Sequence, residues 1–143
     1  MSIDTNDRLK YLEMIQNIIN RMANNSFLIK GWTITLSLAG FSLFASKHED
    51  IYLFLIIFST IIFWILDGYY LRQEKLFRSL YESNASEDNY HKKLRNLSLD
   101  TSKNKEKVEN ILLCMFSFPT SLIYITILFI TLLVLNFTLC PRG

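Results

Sequence analysis

Two uncharged runs on either side of a short charged turn dominate the pattern of this chain. Phe27 to Ala45 is interrupted only by Lys30, Ser46 to Asp50 brings together Lys47, His48, Glu49 and Asp50, and Ile51 to Leu66 is apolar again. Each run has about 16 consecutive uncharged residues, where a membrane span wants about 20. The turn is too short to form a soluble domain. The runs therefore predict an antiparallel transmembrane hairpin with its tip in water.

A third apolar stretch, Ile111 to Leu139, predicts a third crossing. It is longer than one straight span and contains Pro119. The segment either kinks there, or Ile111 to Phe118 lies at the interface while Thr120 to Leu139 crosses. A further alternative breaks it into two short membrane pieces and returns the C-terminus to the starting side. Asn136, near the far end, is the strongly polar side chain of this span and suits a hydrogen bond to a neighbouring helix.

Ahead of the hairpin, Tyr11, Ile15, Ile18 and Met22 recur at helical spacing, with Lys10, Glu13, Asn17 and Asn20 opposite them. This predicts an amphipathic helix over Asn6 to Arg21, with Asp4, Thr5 and Asn6 as candidate caps. It lacks the basic start, pure apolar core and cleavage site of a signal peptide. It either lies on the membrane, packs on the chain after Asp67, or packs on copies of itself. Its mixed charge argues against the first. After the second run, Asp67 to Glu82 keeps helical character, with Tyr70, Phe77, Leu80 and Tyr81 on an apolar face and Glu74 and Arg78 four apart. The hairpin brings this tail beside the N-terminal helix. Tyr11, Ile15, Ile18, Met22, Phe77, Leu80 and Tyr81 thus form a candidate cytoplasmic docking surface. Ser83 to Ser86 is a run of turn formers that ends the tail.

The expected class is all-α: an integral membrane protein with a transmembrane hairpin, a third C-terminal transmembrane helix and cytoplasmic helical extensions. Four regions follow: an amphipathic helix over 1–25, the hairpin with its tail over 26–82, a charged loop over 83–110 and the third membrane segment over 111–143. Thirteen of the fifteen Lys and Arg residues precede or enter the first span or lie between the second and third; Lys47 and Arg142 fall on the other side. The positive-inside rule then places the N-terminus and the long loop in the cytoplasm, with the hairpin tip and the C-terminus outside.

Lys30 and Asp67 lie equally far from the centre of the turn, about 18 residues or 27 Å along each helix. They share a level at the membrane face and are a candidate interhelical ion pair. Alternatively, Lys30 snorkels and Asp67 faces water. Thr33, Ser37 and Gly40 form a stripe of small and hydroxyl residues on the first span, suited to helix packing or to lining a pore. Trp32, Trp64, Tyr69 and Tyr70 fit an aromatic belt at one interface.

Composition narrows the chemistry. Half the residues are hydrophobic and the formal net charge is +2, so nucleic-acid binding by charge is not expected. The basic cluster His91 to Arg95, and Lys103, Lys105 and Lys107, fit a solvated loop obeying the positive-inside rule or a contact with anionic headgroups. Cys114 and Cys140 are too far apart along a helix to bridge and have no metal-ligand spacing. With two His and four Gly, there is no HExxH, catalytic triad or phosphate loop, so no enzyme activity, metal or cofactor is expected.

The strings MIQNIINRMANNSFLIKGW (Met14 to Trp32) and FWILDGYYLRQEKLFRSLY (Phe63 to Tyr81) resemble a group of small multi-helix bacterial membrane proteins found among antiphage defence genes. The resemblance covers about half the chain and leaves the C-terminal third unmatched. It implies an effector or accessory subunit: an oligomer that perturbs or permeabilises the membrane when triggered from the cytoplasm. The alternative is a membrane anchor or regulator for a soluble cytoplasmic partner, and a transporter is a third reading. A transporter fits least, because no charged residue falls at mid-depth and no repeat is visible.

Overall fold

The computed structural model describes residues 5–85, 99 and 110–139. The basic clusters over 91–95 and 103–107, as well as Asp4, Cys140 and Arg142, lie outside the described residues. Among the described residues there are four helices: α1 (Thr5–Lys47), α2 (Ile51–Ala85), α3 (Ile111–Met115) and α4 (Phe118–Leu139). Among them α1, α2 and α4 are long and apolar enough to cross a membrane.

α1 has 43 residues and no break, about 65 Å of rod at 1.5 Å per residue. The polar cluster Asn24-Asn25-Ser26 leaves it continuous. Asn and Ser are indifferent helix formers rather than breakers, costing about 0.5 kcal/mol each, and neither Pro nor Gly falls between Thr5 and Lys30. The amphipathic helix and the first apolar run are therefore one element.

Lys47 ends α1, and His48 follows with φ at 56° in the left-handed region, its N–H donating to the Phe44 carbonyl at 2.8 Å. This is the cap that lets a helix stop within one residue. Asp50 then offers its carbonyl to the N–H groups of Leu53 and Phe54, and α2 starts. So tight a turn keeps the helices antiparallel neighbours along their whole length.

A single seam joins them. On α1 the buried positions are Tyr11, Ile15, Ile19, Ser26, Ile29, Thr33 and Ser37, and on α2 they are Leu53, Ile56, Thr60, Asp67, Gly68, Leu76 and Leu80. At one end the seam is large and apolar. Tyr11, Ile15, Ile19 and Leu80 form a cluster on which Phe77 and Tyr81 pack, each buried aliphatic side chain contributing about 1.5–3 kcal/mol when water is the alternative. Arg8 closes that end by donating to the carbonyls of Asn84 and Ala85 at 3.2 and 2.9 Å. A cation there complements the last turn of α2. At the other end the seam mixes Ile29, Leu53 and Ile56 with the hydroxyl residues Thr33, Ser37 and Thr60, and the outward faces are apolar. A Cβ on Gly40 would stand 2.5 Å from Ile56 Cγ1, so glycine lets the backbones close at this point.

The third apolar stretch is an elbow. α3 ends at Met115, Phe116 and Ser117 turn, and the Ser117 carbonyl accepts the N–H groups of Thr120 and Ser121 as α4 begins. Pro119 falls in this first turn, where its missing N–H has no partner to lose. α4 is then one 22-residue helix that packs mainly along α2.

Candidate functional site

The amphipathic and apolar ends of the hairpin meet at a buried charged cluster. Helical period places Ser26, Lys30 and Thr33 on the same side of α1, facing Asp67 of α2. The elbow delivers the third participant. The Met115 side chain lies where a Gly68 Cβ would be, so only a glycine admits α3 this close. Trp64 Nε1 donates to the Met115 carbonyl at 3.0 Å, and its ring meets Phe116 edge-on with centroids 5.2 Å apart and stacks on Tyr124 at 6.0 Å. Tyr124, fully buried, is thereby pointed at Asp67.

Asp67 has no exposed side-chain surface, and Lys30 retains 20%. Lys30 Nζ approaches Asp67 Oδ2 at 2.7 Å and Oδ1 at 2.9 Å, and donates to Ser26 Oγ at 2.7 Å. Ser26 in turn donates to Oδ1. The Tyr124 hydroxyl donates to Oδ2 at 3.1 Å. Both carboxylate oxygens thus accept two bonds each, the condition under which a buried charge is tolerable. With its lone pairs engaged, Asp67 is neither a free base nor a nucleophile here. The cluster is a clamp that ties α1, α2 and α4 at one level.

Most of the other sequence-selected residues fall on covered surfaces. Thr33 and Ser37 are 1% and 3% exposed, and Gly40 rests on Ile56, so the small-residue stripe packs within the chain. Tyr11, Ile15 and Leu80 are buried, Ile18 and Met22 are half-buried, and Phe77 and Tyr81 cover the same cluster. The proposed docking face is therefore closed by the chain itself. Trp32 and Tyr69 are exposed, whereas Trp64 turns inward to hold the elbow. Asn136 is exposed and Cys114 is buried. Glu74 and Arg78 form an ordinary surface pair at 2.8 Å.

Ser26, Trp64, Gly68 and Tyr124 are the members of the clamp and elbow that spacing did not single out. Ser26 had a usable signal, because Ser26, Lys30, Thr33 and Ser37 continue one stripe. Tyr124 had none, since its aim depends on where the elbow docks. Among the described residues no group of three or more His, Cys, Asp or Glu could hold a metal ion. The chain matches no protein-family model, no curated protein and no solved structure.

Proposed function

We propose that this protein is a membrane effector of bacterial antiphage defence, several copies of which associate in the inner membrane and permeabilise it on a cytoplasmic signal. In this reading the N-terminus and the charged segment 83–110 are cytoplasmic, and no catalytic step is involved. The clamp carries the reading. It is the point through which a disturbance of the amphipathic end reaches all three long helices, and a buried ion pair is stable only while both partners stay in place. Because Thr33, Ser37 and Gly40 are covered by the chain's own packing, copies associate through the lipid-facing side instead.

The test expresses the wild type and Asp67→Asn in a bacterial host, each confirmed to be membrane-inserted, and follows membrane potential with a voltage-sensitive dye. The variant is expected to depolarise cells without any trigger, and light scattering in nanodiscs is expected to give one defined oligomer of at least about four copies. An inserted monomer whose Asp67→Asn form leaves the potential intact would sink the proposal.

One observation favours the anchor reading as the second choice. Leu9 and Met14 are 65% and 45% exposed on the amphipathic end, away from its covered face. A soluble partner docks there in that case, and Leu9→Asp with Met14→Asp abolishes its co-purification.

A further inference from the structure

We infer that α3 is a lipid-packing sensor: it seats Leu112, Leu113 and Phe116 among the acyl chains of the leaflet nearest the clamp and passes the state of that leaflet to Asp67. This rests on the three long helices spanning the bilayer and not on the effector reading.

Depth decides what meets α3. The helix packs on α2, with Met115 against Gly68 and the Met115 carbonyl accepting from Trp64 Nε1 at 3.0 Å. Gly68 follows Asp67, which stands about 18 residues or 27 Å along α2 from the centre of the turn. With a hydrocarbon core of about 30 Å, α3 sits where acyl chains give way to headgroups.

The two sides of α3 differ. Cys114 is buried and Met115 half-buried, whereas Leu112, Leu113 and Phe116 are 63%, 60% and 62% exposed. Three large apolar side chains turned outward so close together are costly in water, and an apolar face at this depth is covered by the upper part of the acyl chains. The surface they continue is apolar as well: Ile65, Leu66 and Tyr69 flank Gly68 on α2 and are exposed. From Ile111 to Phe116 no side chain is charged or carries an amide, so nothing there would orient a soluble partner. Lipid is the occupant that fits.

A short line of contacts leads from this lipid seat to the clamp. Phe116 meets the Trp64 ring edge-on at 5.2 Å, Trp64 stacks on Tyr124 at 6.0 Å, and the Tyr124 hydroxyl donates to Asp67 Oδ2 at 3.1 Å. A leaflet with gaps between its headgroups admits the three side chains and keeps α3 on Gly68; a crowded one admits them less well, and α3 lifts. Tyr124 then leaves Asp67, and water reaches the Lys30 pair. Lipids shift this balance because they interact differently with the seated and lifted forms.

The experiment places the full chain in nanodiscs of dioleoylphosphatidylcholine mixed with dioleoylglycerol, which opens gaps between headgroups, or with lysophosphatidylcholine, which fills them. In a Cys140→Ser background, Leu113→Cys is treated with a water-soluble maleimide, and Glu13→Cys, at an exposed position, serves as the aqueous reference. Leu113→Cys should react far more slowly than the reference in dioleoylglycerol discs, and about tenfold faster when lysophosphatidylcholine replaces the dioleoylglycerol, the worth of one large side chain leaving lipid. Acetylation of Lys30 by a water-soluble reagent, mapped by mass spectrometry, should rise in step. Leu112→Ser with Leu113→Ser should make Lys30 equally reactive in both lipids. Reaction of Leu113→Cys at the reference rate in both lipids puts α3 in water and overturns the inference. Lys30 acetylation that ignores the lipid, while the Leu113→Cys rate follows it, overturns the link to the clamp. Crosslinking of Leu113→Cys between copies overturns it in favour of a second chain. No arm reads membrane potential, so failure here is separate from failure of the effector reading.

Discussion

The two ends of the hairpin share one seam and pattern it in opposite ways. At the amphipathic end, Tyr11, Ile15, Ile19, Leu76 and Leu80 face inward, with Lys10, Glu13 and Arg21 outside. At the apolar end Thr33, Ser37 and Thr60 face inward among Ile29, Leu53 and Ile56, and Trp32, Leu38, Phe54 and Phe58 face outward. Water selects the first arrangement because burying large apolar surface is the main driving force there. Lipid removes that force, so close backbone approach and internal polar contacts hold the second. The same geometry, i to i+3 or i+4, serves two different energies.

The sharpest break in this comparison is at the junction. Asp67→Leu leaves Lys30 half-buried beside an apolar wall and should cost about 3–5 kcal/mol in a detergent-unfolding titration. The pair Lys30→Met with Asp67→Leu should recover most of that loss. If the double variant is as unstable as the single one, charge pairing is not what the clamp contributes.

The next test compares equal truncations across the two ends. Ile15→Ala removes contacts that water would otherwise fill and should cost about 3 kcal/mol. Ile56→Ala at the lipid end loses packing alone and should cost about half as much, since lipid is as apolar as the seam. Equal losses would erase the energetic distinction between the ends.

A smaller effect sharpens the assignment of faces. Gly40→Leu drives into Ile56 and should cost about 1–3 kcal/mol, while Ala39→Leu, one residue earlier and exposed, should be near neutral. Smallest of all, Arg8→Gln keeps the packing and loses a charge at the end of α2, about 0.5 kcal/mol. Faster amide exchange confined to residues 80–85 would be its signature.

Much of this fold was legible because lipid and water impose simple rules. The lengths of the apolar runs and the charged turn between them placed the hairpin, and Lys30 and Asp67 could be paired from nothing more than equal distance to its tip. Tyr11, Ile15 and Leu80 followed from period. The continuity of α1 through Asn24-Asn25-Ser26 was not legible, because a polar cluster marks a change of surroundings as readily as a break in the helix. Nor was the elbow's seat on Gly68 and Trp64. Sequence spacing fixes which side of one helix a residue lies on, but not where a helix reached through 25 intervening residues, Ser86 to Asn110, comes to rest. Tyr124 therefore entered the clamp unannounced, and spacing leaves Ser37 open as a packing or a pore-lining residue, where the structure covers it.

The unbroken length of α1 has a mechanical consequence. A helix with no joint turns as a stiff lever, and the clamp at Lys30 is its fulcrum, with 25 residues on the Thr5 side and 17 on the Lys47 side. Those arms measure about 38 and 26 Å. A swing of about 3 Å at the N-terminal tip thus displaces the turn at His48 by about 2 Å in the opposite direction, with no hinge to absorb the motion.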